Sequence, residues 1–206
     1  DAGSPVAANR GLAFTKRFFS WCEERDILEL SPAESINPPS REKIRNRVLS
    51  LIEIKAFWAA CNQMVYPWGP IFQLLLLTGA RLREVSQASW DEVSIADGTL
   101  DLPARRTKNG RPHQIQLSDQ AINIIQALPR VEGQNLLFTT TGTTPVSGFS
   151  KVKKRLDVLS GVANWRFHDL RRSFATHSTE KLGISPVIAD KILNHVTGQV
   201  RGVAAI

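Results

Sequence analysis

Cysteine is almost missing from this chain: 206 residues hold two, Cys22 and Cys61. They stand far apart, with neither a CxxC pair nor histidines at zinc-ligand spacing, so no disulfide framework and no zinc site is expected and a reducing cytoplasm fits. Long apolar runs are lacking too. The longest, IFQLLLLTGA at 71–80, is interrupted by Gln73 and closes on Thr78 and Gly79, well short of a membrane span. The opening DAGSPVAANR has no charged segment leading into an apolar one, so no signal peptide is expected. Acidic residues are the minority charge, 19 against 26 Lys and Arg, and nowhere group as a magnesium site would require. Tyrosine occurs once, as Tyr66.

The excess of cations, a formal +7, favours a polyanionic partner such as nucleic acid over an acidic one. The length allows one substantial core and part of a second domain. Residues 8–27 place Phe14, Phe18, Trp21 and Cys22 on one helical face, which predicts a helix with something to pack against. The proline-containing LELSPAESINPPSREKIRNR reads as a linker, which puts a domain boundary between residues 44 and 45.

Beyond it, Ser50 and Glu53 match a capping box ahead of LIEIKAFWAACNQ. The helices IFQLLLLT and RLREVSQA follow, and then the period changes. EVSI, TLDLP and HQIQLS alternate as short strands, with an Asp97-Gly98 turn between the first two and the basic loop ARRTKNGRP between the second and third. SDQAINIIQALP, FSKVKKRLDVL, FHDLRRSFATHSTEKL and SPVIADKILNH return to helical spacing, and LLF is a brief strand or an extended connector. The fold class expected is mainly α with a small antiparallel β-sheet (α+β).

Five polar residues fall at the ends of these elements: Arg81 in LTGARLREV, Lys108 in TKNG, His168 and Arg171 in HDLR, and His195 in LNHV. His168 and Arg171 share one face of a first helical turn. Singly, each has an ordinary reading as a capping or solvated charge. Together, two arginines, a lysine and two histidines are suited to hold one phosphodiester and stabilise added negative charge on its oxygens, because the guanidinium fork binds phosphate oxygens bidentately. Basic residues nearby, Arg105, Arg106 and Arg111 around Lys108, Lys151, Lys153, Lys154 and Arg155 on one helix, and Arg172 beside Arg171, are candidate contacts to a duplex backbone.

In their order, LTGARLREV, TKNG, HDLRRSFATH and LNHV resemble the tyrosine recombinases, or phage-type integrases, and the wording is nearest to integrases of genomic islands and P4-like prophages. The resemblance implies that residues 1–44 are the last helix of a core-binding domain plus an interdomain linker, and 45–206 a catalytic domain. It implies that Arg81 and Arg171 clamp a scissile phosphate, Lys108 protonates the leaving 5′ oxygen and His168 manages the nucleophile's proton. His195 would bond or pack at the phosphate, and Glu84 would support the site from behind. It further implies site-specific recombination of double-stranded DNA through a 3′-phosphotyrosyl intermediate, with no metal and no cofactor.

Tyr66 lies where that family has no nucleophile and reads as a packing residue. The family's tyrosine would follow shortly after the position of His195, where this chain ends, so GQVRGVAAI is expected to lead into it. By the same resemblance, the full-length protein is expected to work as a homotetramer on paired attachment sites and the present chain to be a monomer, cytoplasmic in a bacterium and bound to its nucleoid. Three alternatives stand: a non-catalytic DNA-binding module, a helix-turn-helix regulator built on RSFATHSTEKLGISPVIADKIL, and a type IB topoisomerase sharing the chemistry.

Overall fold

The computed structural model describes residues 4–41 and 45–195. Ser4 precedes α1 (Pro5–Glu23), and Pro5 takes the first helical position, where an amide hydrogen would have no partner. The helix begins and ends upstream of the 8–27 stretch expected. Cys22 is buried as anticipated, but Phe14, Phe18 and Trp21 remain exposed among the described residues. The residues after α1 form turns that bond back to it, the Ser31 amide to Glu23 at 2.7 Å and Lys16 to the Glu34 carbonyl at 2.9 Å, and they leave that stripe uncovered. Contacts divide the chain into two units at Arg45 and Asn46.

The second unit starts with a segment anchored at both backbone groups. Leu49 is fully buried; its N–H donates to Ser173 Oγ at 2.8 Å, and its carbonyl pairs with His177 Nε2 at 2.7 Å. Ser50 then caps α2 (Leu51–Asn62), accepting from the Glu53 amide while the Glu53 carboxylate accepts from the Ser50 amide at 2.8 Å. This is the reciprocal box expected from the sequence.

Helix α3 (Trp68–Thr78) is the central element, with Ile71, Phe72, Leu74 and Leu75 buried. It lies against α2, α4 (Leu82–Ser86), α5 (Asp119–Gln126) and α7 (Phe167–Glu180). Gly69 permits the close start of α3: a Cβ there would stand 2.4 Å from the Cys61 carbonyl oxygen and 2.6 Å from that of Met64.

The sheet has the order β1 (Val93–Ser94), β2 (Thr99–Leu102), β3 (His113–Gln116), antiparallel throughout, with Leu100 opposite Ile115 and Leu102 opposite His113. Leu100, Leu102 and Ile115 face the core. LLF settles as an extended connector, pinned by the Leu137 amide on the Ala88 carbonyl at 2.9 Å. α6 (Phe149–Ser160) packs on α2, and α8 (Pro186–Ile192) follows α7. Trp165, 2% exposed, fits edge-on between Phe57 and Phe167, and its Nε1 donates to Asp157 at 2.6 Å. The class is the expected one, mainly α with a small antiparallel sheet. Among the described residues no helix is long and apolar enough to cross a membrane.

Two outcomes test this architecture. Gly69→Ala should lower stability by about 1–3 kcal/mol in urea unfolding, because backbone oxygens rather than flexible side chains meet the new methyl. Separately, the Arg47 guanidinium, helped by the Ser50 amide, holds the Glu53 carboxyl down to about 2. A carboxyl depressed by folding stabilises fully above its ordinary range and loses that contribution as pH falls toward 2. Thermal melts should therefore fall more steeply between pH 4.5 and 2 for the parent than for Glu53→Gln.

Candidate active site

The site is built where α3, α4, α7 and α8 end or begin near one another. Thr78 donates its hydroxyl to the Leu74 carbonyl, and Gly79 ends α3 in the left-handed region at φ +63°. That turn leads directly into Arg81. Glu84, buried at 2% exposure, accepts from both the Arg81 amide at 2.8 Å and Arg81 Nη1 at 2.6 Å. The carboxylate therefore caps α4 and holds the arginine side chain in one gesture.

Arg171 rises from the start of the second turn of α7 and is 3% exposed. Its Nη1 donates to the Gly79 carbonyl at 2.8 Å and its Nη2 to the Leu193 carbonyl. Burial first, then repulsion from Arg81, brings its pKa down to about 10, against the opposing pull of Glu84 and Asp190. The group remains a cation at neutral pH. With five donors and two given to carbonyls, it keeps N–H groups for an anion.

His168 sits one turn before Arg171 on the exposed side of α7. Partial loss of water, then the charges of Arg171 and Arg172, hold its pKa below the ordinary histidine value, so the ring is neutral at pH 7 and can accept a proton. His195 Nδ1 pairs with Asp190 Oδ1 at 2.7 Å. In the neutral ring, that pairing places the proton on Nδ1 and leaves Nε2 for a ligand.

Lys108 is exposed on the loop between β2 and β3. It makes no direct contact to the arginines, but its neighbour Asn109 reaches α8's end, donating to Asn194 Oδ1 at 2.8 Å. The structure thus brings Arg81, Glu84, Arg171 and His168 within electrostatic reach of one another, with His195 beside Asp190 and Lys108 carried to the same end of α8.

The remaining basic residues divide. Arg105, Arg111, Lys151, Lys154 and Arg155 are exposed, and Arg172 is half-buried on Asp169 at 3.1 Å. Arg106 differs from the outward role expected of it: it is ion-paired to Glu92 and donates to the Arg83 and Glu84 carbonyls at 3.1 and 2.9 Å. Lys153 also turns inward, to Asp157 at 2.7 Å and over the Trp165 ring at 4.3 Å. Both are occupied in holding the fold. Tyr66 is a packing residue, as read from the sequence: its hydroxyl donates to the Leu137 carbonyl at 3.0 Å and accepts from the Thr139 amide at 3.1 Å. The GQVRGVAAI segment lies outside the described residues.

Sequence reasoning missed three residues. Asp190 and Asn109 gave no signal, since their partners are fixed only by the tertiary turn. His113 did give one: alternation places it on the inward face with Ile115, and it is half-buried there. Its pKa lies below the ordinary value, chiefly through burial, with Glu84 opposing and Arg171 and Arg81 adding to the depression. The helix-turn-helix alternative loses its reading element, because α8 has seven residues and exposes Val187 and Ile188 rather than a basic face. Among the described residues no three His, Cys, Asp or Glu side chains group as a metal site.

Comparisons with known proteins concern the family and the fold. The phage integrase family model matches residues 47–200. The prophage integrase IntZ of Escherichia coli strain K12 is 29% identical over 172 residues, covering 80% of this chain and 41% of its own length. A shufflon-specific DNA recombinase of Escherichia coli is 26% identical over 205 residues, covering 93% of the chain and 50% of its own. The chain therefore spans about half the length of these curated relatives. In fold it is similar to a lambda integrase (75–356) dimer bound to a COC' core site, with a TM-score of 0.74 at 17% identity, covering 97% of this chain and 75% of that one. It is also similar to the XerH recombinase bound to its difH substrate, with a TM-score of 0.71 at 18% identity, covering 95% and 60%.

Glu84→Ala should destabilise the chain by about 3 kcal/mol in urea unfolding, the lower end of the range for breaking a buried pair, since Arg81 retains partial access to water. A loss below about 1 kcal/mol, the range of an exposed pair, would mean that Glu84 does not hold Arg81.

Proposed function

The chain belongs to the phage integrase family, and from that premise we propose that it carries the catalytic machinery of a site-specific DNA recombinase. The observation that supports this most is the buried Arg171 set beside Arg81, a pair of guanidiniums whose mutual repulsion is only partly offset by Glu84. Holding two cations together costs energy that an arriving phosphate would offset, so the pair suits an anion.

In the proposed reaction, Arg81 and Arg171 hold the non-bridging oxygens of one phosphodiester and stabilise charge as phosphorus becomes pentacoordinate. A tyrosine oxygen attacks phosphorus as the bond to the 5′ oxygen breaks. Neutral His168 takes the tyrosine proton, and Lys108 gives a proton to the departing 5′ oxygen. His195, oriented by Asp190, donates to the phosphate or packs against it. Tyr66 is held elsewhere by Leu137 and Thr139, so the reading requires a tyrosine that these 206 residues do not include.

The substrate in this reading is double-stranded DNA bearing attachment sites, paired by four copies of the full-length protein in the bacterial nucleoid. Arg105, Arg111, Lys151, Lys154, Arg155 and the free face of Arg172 would meet the backbone. Residues 1–44 would form the end of a core-binding domain and its linker, and 45–206 the catalytic domain.

The test uses the full-length gene product on a nicked duplex that traps the cleaved strand. A covalent protein–DNA adduct is expected on a denaturing gel, and Arg171→Lys should lower its rate about 100-fold or more, as for loss of a well-placed charge-stabilising donor, while leaving DNA affinity nearly unchanged. Adduct formation should decline as pH falls below His168's depressed pKa, where the ring gains a proton. Tight DNA binding without any adduct would leave a DNA-binding module as the correct description.

A further inference from the structure

Lys108 poses a positional problem. It is exposed, at the tip of a loop, and its ammonium has no partner among the described residues. A proton donor must nevertheless meet one leaving oxygen within hydrogen-bond reach. Something other than the lysine must set where the loop stands.

The next residue does so. Asn109 Nδ2 donates to Asn194 Oδ1 at 2.8 Å and to the Asn194 carbonyl at 3.3 Å, and Asn194 Nδ2 returns a donation to Asn109 Oδ1 at 3.4 Å. The two amides are paired in both directions across 85 residues of sequence. Neither end is loose. Asn109 Oδ1 also accepts from the Arg111 amide at 3.2 Å, and the Thr107 hydroxyl bridges the Arg111 carbonyl at 2.6 Å and the Ala104 carbonyl at 3.0 Å, which closes the loop on itself. At the other end, Asn194 lies at φ +51°, a region that asparagine tolerates better than most residues, between Leu193, whose carbonyl takes Arg171, and His195.

We propose that the Asn109–Asn194 pair is a positioning clamp that fixes the Lys108 loop against the end of α8, and so sets the lysine's distance from the phosphate held by Arg81 and Arg171. The proposal rests on the recombinase reading and on Lys108 as the proton donor within it. Asn109 touches no reacting atom; it acts through its neighbour. Because the same turn carries His195 and receives Arg171, the clamp ties the proton donor to the anion-binding arginine through one short backbone segment.

Sulfur chemistry separates this role from a merely structural one. When the 5′-bridging oxygen of the scissile phosphate is replaced by sulfur, the leaving thiolate needs no proton. The full-length protein is compared on oxygen and sulfur substrates as parent, Lys108→Ala, Asn109→Ala, Asn194→Gly and the Asn109→Ala/Asn194→Gly double variant. Glycine at 194 keeps the positive φ and the carbonyl while removing the side-chain amide. Asn109→Ala should cut single-turnover cleavage of the oxygen substrate about 100-fold, the scale of an ångström misplacement, and recover on the sulfur substrate as Lys108→Ala does. The double variant should be no worse than the poorer single one.

An Asn109→Ala variant that cleaves the oxygen substrate at the parental rate overturns the clamp. So does an equal loss on both substrates, or losses that multiply in the double variant. If the parent forms no adduct on either substrate, the recombinase reading itself has failed.

Discussion

A buried guanidinium governs this domain. Removing Arg171 from water costs several kcal/mol, and that cost is offset only if its donors find acceptors in fixed places. Two main-chain carbonyls supply them, Gly79 at the end of α3 and Leu193 at the end of α8. The constraint then spreads outward. Gly79 must turn left-handed to aim its carbonyl, and a Cβ there would stand 2.6 Å from the Phe174 ring and 2.8 Å from the Leu193 side chain. The same turn delivers Arg81, and Glu84 caps it. One ion's need for acceptors thus places both arginines, the α3 terminus and the α8 terminus.

What the sequence made legible follows from where information is local. The Ser50–Glu53 box, the Asp97-Gly98 turn and the alternating strands are each decided within a few residues, and each stands in the structure. The five candidate residues could be proposed as a set because their chemistry is of one kind, all of them donors or proton carriers suited to a phosphate. Side-chain direction was legible only in part. Arg106 belongs to a basic stretch read as a candidate backbone contact, yet Glu92, 14 positions earlier, draws it inward at a distance that no periodicity encodes; Lys153 and Asp157, by contrast, stand at the i,i+4 spacing of one helix, and their pairing was open to sequence reasoning. Asn109 was silent because its partner Asn194 lies 85 residues away, Asp190 because only the turn after α8 brings His195 back to it, and Phe14, Phe18 and Trp21 announced a packed face that the described residues leave open.

The parts of the site are held with unequal firmness, and the inequality matches the demands on each. The arginines that would meet a charge present throughout a phosphoryl transfer are fixed by buried carbonyls and a buried carboxylate, so they need no rearrangement as charge builds. The candidate proton donor stands on an exposed loop instead. Its ammonium stays in water and is not buried beside two guanidiniums with no anion between them. An exposed lysine on a loop anchored by one amide pair answers both needs: it waits in water and still has a defined place. The anchor at the end of α8 means that whatever displaces that turn moves the lysine's support, His195 and an acceptor of Arg171 together, so the site is retained or lost as a unit.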